Sequence, residues 1–231
     1  MRHRVKEYVS RTWLVVGLLT LGLIHVPLTA VGTQEAVVVN FSQAKDPVPK
    51  GWELSEKEGK ADLALVSDGG AQSLKLRSNS SSFSLNKSLE IDLTKTPYLE
   101  WEWKVTELPT GGDFRKSATD DQAAQLYVIL NWGTFNKEAI AYIWDTTAPV
   151  GTIEKISPPV PFLKIHAVVV RSGDQELGNW VTEIRNVVED YKKLFGSEPK
   201  NVEGIRIQIN SQHTKSEAES YWRSVRFKAQ P

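Results

Sequence analysis

The amino-acid sequence predicts a mainly β protein, a jelly-roll-type β-sandwich with one short amphipathic helix. Apolar and polar residues alternate with a period of two over most of the chain beyond residue 33. Turn sequences such as Asp68-Gly69-Gly70 and Ser172-Gly173-Asp174 divide this region into about ten short segments. The chain has 231 residues, of which 40% are hydrophobic and none is Cys. It is therefore long enough to bury a core and has no disulfide to support it.

The first 32 residues predict a signal peptide. Residues 1–13 carry four basic residues and one acidic residue, and Leu14 to Ile24 is an apolar run. Ala30 and Gly32 follow with the spacing of a cleavage site. The apolar run is short for a membrane span of about 20 residues, so an uncleaved anchor is the alternative and the only predicted contact with a membrane.

The charge balance predicts a protein that does not bind nucleic acid, and the signal peptide predicts that it is exported. The whole chain has 28 basic and 28 acidic residues, and removal of residues 1–32 leaves 24 and 27, a net charge of −3. No basic excess is available for phosphates. The predicted location is the periplasm or the cell surface of a bacterium.

Residues 33–231 predict a single domain built from successive strands. In one strand Ile205, Ile207 and Ile209 alternate with polar residues, which indicates one buried and one wet face. Two other segments are apolar on both faces, as central strands are. The predicted strands are Val37–Phe41, Asp62–Val66, Ser73–Arg77, Phe83–Leu93, Leu99–Val105, Leu126–Trp132, Ile140–Trp144, Ile165–Arg171, Trp180–Arg185, Ile205–Ile209 and Tyr221–Phe227.

One helix is predicted near residues 187–195. Apolar residues from Val187 to Phe195 recur at helical spacing. Asn186 is a suitable N-cap, with Glu189 three residues later, and Gly196 is a suitable stop.

Adjacent carboxylates at Asp120 and Asp121 are the first candidate site. They follow a loop rich in Gly and charge and precede a predicted central strand. They could coordinate Ca²⁺ or accept hydrogen bonds from sugar hydroxyls. The alternative is that one caps the turn and the other is solvated, since the spacing of a calcium-binding loop is absent.

The eight Trp residues are the unusual feature of the composition. Trp101, Trp103 and Trp132 share the parity of core-facing aliphatic residues, which predicts that they are buried. Trp144, Trp180 and Trp222 lie near strand ends, where a half-exposed ring could stack on a sugar. Packing in the core or at its rim is the alternative for these three.

Glu183 and Arg185 are two residues apart on a predicted strand and so project from one face. The Arg185 guanidinium could clamp a carboxylate or a sugar acid. An internal ion pair with Glu183 or Asp190, fixing the helix to the sheet, is the equal alternative.

Three segments resemble the bacterial family of unknown function DUF3047. They are Trp101-Glu102-Trp103, the segment 120–128 (DDQAAQLYV), and the run from Trp180 to Gly196. The resemblance spans about residues 37–228 and implies no established activity. At the level of the fold alone, the layout is also similar to galactose-binding-like jelly rolls and carbohydrate-binding modules.

The predicted function is that of an exported, non-catalytic binding protein for a glycan or another envelope component. The predicted ligand-binding residues are Asp120, Asp121, Trp144, Trp180, Glu183 and Arg185, with no catalytic residue assigned. One alternative is a glycan-active hydrolase or lyase that uses two carboxylates. The other is a structural envelope protein without a small ligand, and neither the oligomeric state nor a cofactor beyond possible Ca²⁺ is predicted.

Overall fold

The structure is a computed structural model that describes residues 34–132, 137–156, 162–199 and 201–231. The predicted signal peptide lies outside the described residues. Within the described ranges the strands are β1 Glu35–Asn40, β2 Glu53–Glu58, β3 Asp62–Asp68, β4 Ala71–Asn79, β5 Ser82–Ile91, β6 Tyr98–Glu107, β7 Ala124–Trp132, β8 Lys137–Asp145, β9 Ile153–Ile156, β10 Leu163–Ser172, β11 Val181–Asn186, β12 Val202–Asn210 and β13 Glu217–Lys228, and the helix is α1 Val187–Phe195.

The strands form two sheets that pack face to face. The six-stranded sheet has the order β11-β6-β13-β4-β3, and β1 also pairs with β13. The seven-stranded sheet has the order β2-β5-β12-β7-β8-β10-β9, and its strands are antiparallel except for β8 and β10. The predicted fold class, a mainly β sandwich with one short helix, is confirmed.

The core between the sheets is built around indole rings. Trp103 of β6 contacts Trp101 edge-on, with ring centroids 5.4 Å apart, and contacts Trp222 of β13 at 5.3 Å. From the opposite sheet, Tyr142 stacks on Trp101 and Trp144 packs against Trp103. Burial of such large rings dominates the energy of a core, and no disulfide supplements it. The predicted burial of Trp101 and Trp103 is confirmed, whereas the side chain of Trp132 lies outside the described residues.

Strand β12 has one buried face and one outer face, as the alternation of apolar and polar residues predicts. Ile205, Ile207 and Ile209 are buried between the sheets. Arg206 and Gln208 lie on the opposite face of the strand, because successive side chains of a strand point to opposite sides. The outer face of the seven-stranded sheet is thus lined with polar groups along this strand.

Helix α1 begins and ends where the sequence predicts. The Asn186 side chain accepts hydrogen bonds from the backbone N–H groups of Val188 and Glu189, and Gly196 adopts the left-handed conformation at the C-terminus. Tyr191 donates a hydrogen bond to Glu138 of β8, which fixes the helix to the seven-stranded sheet. Burial raises the pKa of Tyr191 to about 12, so its hydroxyl remains protonated and donates. Among the described residues, no helix is long and apolar enough to cross a membrane.

Candidate functional site

An open cleft of about 820 Å³ lies on the outer face of the seven-stranded sheet. Strands β7, β9, β10 and β12 supply side chains to it, and Lys57 of β2 contributes at one side. The loop before β7 contributes Phe114, Arg115 and Asp120, and His213 follows β12. The cleft is therefore built mainly on strands, which hold side chains more rigidly than loops do.

The strand register sets polar side chains in two neighbouring rows across the sheet. Arg206 of β12 is paired with Asn86 of β5 on one side and with Tyr127 of β7 on the other. Gln208, two residues further along β12, is paired with Ser84 and Gln125 in the same strands. Residues paired in this way lie on one face of the sheet. These polar rows cover the half of the outer face formed by β5, β12 and β7.

Hydrogen bonds hold the amides of these rows in place. The Tyr127 hydroxyl donates to Gln125 Oε1 at 2.8 Å, and Gln125 Nε2 donates to Asn210 Oδ1. Asn210 Nδ2 donates to the backbone oxygen of Asp120 at 2.6 Å. Burial raises the pKa of Tyr127, so the phenol stays protonated and serves as the donor. The amide orientations are fixed before any ligand arrives.

The other half of the same face is apolar. The register continues from Tyr127 to Ala141 of β8 and then to Ala167 of β10. These residues belong to a buried cluster that also contains Ile165 and Phe114, and both of those line the cleft. Ala141 and Ala167 are fully buried, so the apolar side of the cleft floor is formed by Phe114, Ile156, Leu163 and Ile165.

Cations outnumber anions among the residues that line the cleft. The basic residues are Lys57, Arg115, Lys137, Lys155 and Arg206, and the acidic residues are Asp120 and Glu154. Arg115 is committed to Asp113, which accepts from its Nε at 2.7 Å, and this contact holds the pKa of Asp113 well below its usual range. Burial raises the pKa of Asp120. The remaining cations give the cleft a positive balance.

The loop that carries Phe114 and Arg115 is held against the end of β8. Asp145 accepts hydrogen bonds from the backbone N–H groups of Phe114, Thr147 and Ala148 at 3.0, 2.8 and 2.7 Å. A Cβ at Gly112 would lie 2.6 Å from the backbone oxygen of Asp121, so this close approach requires glycine.

Of the two predicted carboxylates, Asp120 lines the cleft and Asp121 lies buried behind it. Asp121 is 0% exposed and accepts hydrogen bonds from Asn210 Nδ2 and from the backbone and side chain of Thr214. Donors therefore occupy both of its oxygens. Across the described ranges, no three His, Cys, Asp or Glu side chains are grouped as metal ligands. The calcium prediction stays untested.

The predicted Trp platforms lie away from the cleft. Trp144 is 1% exposed, its ring packs on Trp103, and its indole N–H donates to the backbone oxygen of Gly173, so it does not offer the expected half-exposed ring. Trp222 is fully buried. Trp180 donates to Asp68 Oδ2 at 2.7 Å and does not line the cleft.

Glu183 and Arg185 lie where the two sheets meet at one edge, and neither lines the cleft. Arg171 of β10 donates to Glu183 of β11 at 2.6 Å, which joins the sheets. Arg185 donates from two nitrogens to Asp190, whose Oδ2 also accepts from the Tyr142 hydroxyl. This arrangement matches the ion-pair alternative, in which Arg185 and Asp190 fix α1 to the sheet.

Of the six predicted residues, only Asp120 lines the cleft. Sequence reasoning missed Tyr127, Gln125, Arg206 and Gln208. A signal for them was available, because Arg206 and Gln208 alternate with buried Ile residues and had to lie on the outer face. Which outer face forms a cleft depends on strand pairing across the chain, which the alternation does not contain.

The protein is a β-sandwich with an open cleft, partly polar and partly apolar, on the outer face of one sheet. The chain belongs to the family described as "Protein of unknown function (DUF3047)", whose model matches residues 50–226. The family resemblance predicted from the sequence is confirmed. No curated protein sequence matches the chain. The family description assigns no activity, so the function has to be inferred from the cleft.

Several solved structures are similar to this chain at low sequence identity. The family 30 carbohydrate-binding module of a Clostridium thermocellum cellulase has a TM-score of 0.48 and 10% identity, and the match covers 85% of this chain and 98% of that one. The family 11 module of the Clostridium thermocellum cellulase Lic26A-Cel5E has a TM-score of 0.46 and 11% identity, with coverages of 84% and 94%. The xyloglucanase domain of NopAA from Sinorhizobium fredii has a TM-score of 0.45 and 13% identity, with coverages of 76% and 92%.

Proposed function

We propose that this chain is a non-catalytic binding protein whose ligand is a glycan, held in the cleft of the seven-stranded sheet. The observation that carries the proposal is the divided floor of the cleft. The polar rows through Arg206 and Gln208 lie beside an apolar strip, which Ile156, Leu163 and Ile165 form at the other side of the cleft.

A glycan chain has the surface that such a floor would complement. Each sugar presents hydroxyl groups at its edge and C–H groups on its faces. Amide side chains supply both donors and acceptors, so the half-buried Gln208 can serve a hydroxyl in either role, while the buried Gln125 holds its neighbours in place. The apolar strip would cover the C–H face, and the pre-set hydrogen bonds reduce the entropy lost on binding.

A second candidate is hydrolysis of the bound glycan. Asp120 and Glu154 line the same cleft, and burial raises the pKa of Asp120, as a general acid requires. Release of reducing sugar during long incubation with a bound oligosaccharide, abolished by Asp120→Asn, would support this candidate and overturn the non-catalytic proposal.

The binding proposal is tested with a glycan array and then with calorimetric titration of the full chain by the best array ligand. Gln208→Ala removes one amide from the cleft, and we expect affinity to fall about fivefold because a hydrogen bond contributes about 1 kcal/mol. Asn79→Ala is the matched control, since Asn79 is an exposed amide of β4 in the other sheet.

Two results would overturn the proposal. One is the absence of any array ligand that also raises the melting temperature with increasing dose, since a ligand of the native state must do so. The other is an equal loss of affinity in Gln208→Ala and Asn79→Ala, which would place the ligand elsewhere.

We also propose that the chain is exported and loses a signal peptide that ends at Ala30 or Gly32. N-terminal sequencing of the protein recovered from a fractionated bacterial host tests this. A start at residue 31 or 33 in the periplasmic or extracellular fraction supports the proposal, and an intact N-terminus in the cytoplasmic fraction contradicts it.

A further inference from the structure

Arg206 differs from the other arginines of the described ranges. The described ranges contain seven arginines, and all except Arg206 form an ion pair with a carboxylate. The pairs are Arg77 with Glu217, Arg115 with Asp113, Arg171 with Glu183, Arg185 with Asp190, Arg223 with Glu102 and Arg226 with Glu100. Arg206 has no carboxylate partner among the described residues. The one arginine at the centre of the polar rows is thus left without a counter-charge.

Neutral neighbours nevertheless hold the Arg206 side chain in position. Its Nε donates to Asn86 Oδ1 at 2.7 Å, and its guanidinium carbon lies 5.6 Å from the centre of the Tyr127 ring. Asn86 is itself oriented by a hydrogen bond from its Nδ2 to Ser84 Oγ at 3.1 Å. The two terminal nitrogens of Arg206 have no hydrogen-bond partner in the described structure. The planar guanidinium group of Arg206 is therefore held in one orientation, and its two terminal nitrogens remain available to a ligand.

Lys57 supplies a second cation on the same side of the cleft. A small cavity of about 170 Å³ adjoins the main cleft, and Lys57, Arg206 and Gln208 line both. The side chains of Ser55 and Ser84 line this small cavity as well. Within the described residues Lys57 forms no ion pair. Burial raises the pKa of Asp120, and the charge of Lys57 opposes this rise with a smaller effect.

We propose that the glycan bound in the cleft carries an anionic group, a carboxylate or a sulfate ester, which sits between Arg206 and Lys57. This inference rests on the proposed glycan-binding function and adds the chemical class of the ligand. A guanidinium with two free nitrogens matches two oxygens of such a group, and charge-assisted pairs of this kind are about twice as strong as neutral hydrogen bonds. Lys57 and the two serine hydroxyls would complete the shell.

The test compares ligands that differ in their charged groups. The full chain is titrated with a galacturonic acid hexasaccharide, with its methyl ester, which has the same sugars without the charges, and with a sulfated galactan oligosaccharide, all at one ionic strength. We expect the charged forms to bind at least tenfold tighter than the ester. The tighter of the two charged ligands identifies carboxylate or sulfate as the group recognised.

The variant Arg206→Gln is expected to lose at least tenfold in affinity for the charged ligand and less than about threefold for the ester. Arg206→Lys keeps the charge but not the fork, and it should recover only part of the loss. Arg77→Gln removes the same charge from the six-stranded sheet and should bind as the wild type does. Melting temperatures of all variants show whether each one is folded.

The other possible outcomes show whether the anionic ligand alone is wrong or glycan binding as well. Equal binding of acid and ester, with Arg206→Gln weakening both alike, overturns the anionic ligand and leaves glycan binding intact. An equal loss in Arg206→Gln and Arg77→Gln shows a general charge effect and also overturns it. Failure of all three ligands, together with an empty glycan array, overturns the glycan-binding proposal itself.

Discussion

The outer faces of the two sheets carry the same kinds of residue and use them in opposite ways. On the six-stranded sheet, cations are matched by anions within the sheet. The pairs are Lys75–Glu219, Arg77–Glu217, Lys104–Asp68, Arg223–Glu102 and Lys228–Glu100. On the seven-stranded sheet Arg206 and Lys57 have no carboxylate partner among the described residues, and amides take the place of acids.

Charged groups on the face of a sheet can thus pair with one another, or they can be left to pair with a ligand. Around Trp180 the six-stranded face is closed by aromatic contacts too, since the Arg223 guanidinium lies 3.9 Å from the ring centre. Groups paired in this way contribute to stability and have little left to offer a ligand. Unpaired groups held in place contribute little to stability, and their interaction energy is available for binding.

The first prediction, with the greatest change in stability, is the loss of the half-buried ion pair between Lys104 and Asp68 on the six-stranded face. Lys104 is nearly buried, and its ammonium holds the pKa of Asp68 below the usual range. Lys104→Met leaves the partly exposed carboxylate with Trp180 as its remaining side-chain donor, so we expect the free energy of unfolding to fall by about 2 kcal/mol, the contribution of a hydrogen bond between charged groups. Urea denaturation of the wild type and the variant measures the change.

The matched substitution on the other face is Arg206→Met. Because Arg206 has no carboxylate to leave behind, the loss should stay below about 1 kcal/mol. Equal losses in the two variants would show that the two faces do not differ in their contribution to stability.

A smaller effect is expected for Trp180→Phe. This change removes the indole N–H that donates to Asp68 and weakens the stack with Arg223, so stability should fall by about 1–2 kcal/mol. Glycan affinity should not change, because Trp180 does not line the cleft. A clear loss of affinity in a folded Trp180→Phe protein would restore the sequence-based prediction that this ring binds the ligand.

The smallest effect concerns pH and Asp120. Burial raises the pKa of Asp120, so the folded state keeps this proton to a higher pH than the unfolded state does. Stability from this group is greatest below the ordinary Asp pKa and falls as pH rises through the raised value. Asp120→Asn should therefore gain stability relative to the wild type between pH 3.5 and pH 7, which paired denaturation curves at roughly these limits can measure. A constant difference would show that burial does not control this carboxyl.

Most strands and the helix could be predicted from the sequence, because burial of one face makes apolar residues recur with a regular period. Strands such as β12, and the helix with its Asn186 cap, lie where the alternation and the capping residues placed them. Strands β2 and β9 were missed. β2 is exposed along its whole length, so it has no apolar face to reveal it, and β9 has only four residues.

The residues of the cleft are harder to predict, because neighbours in the sequence need not share a site. Asp120 and Asp121 are neighbours, yet one lines the cleft and the other is enclosed by donors from residues near 210–214. Arg206 becomes notable only once the strand register shows that Asn86 and Tyr127, and no acid, flank it. Such pairing is a property of the folded chain and has no local signature.

The position of β13 has a consequence for the order in which the chain folds. This last strand lies inside the six-stranded sheet, where it pairs with β1, β4 and β6. Without it, that sheet divides into the β3–β4 hairpin, the β6–β11 pair and a lone first strand. Contacts between distant parts of a chain form slowly, because the intervening loop must close first. Because residues 217–228 follow every other strand of that sheet along the chain, the sheet cannot be completed until they have been synthesised.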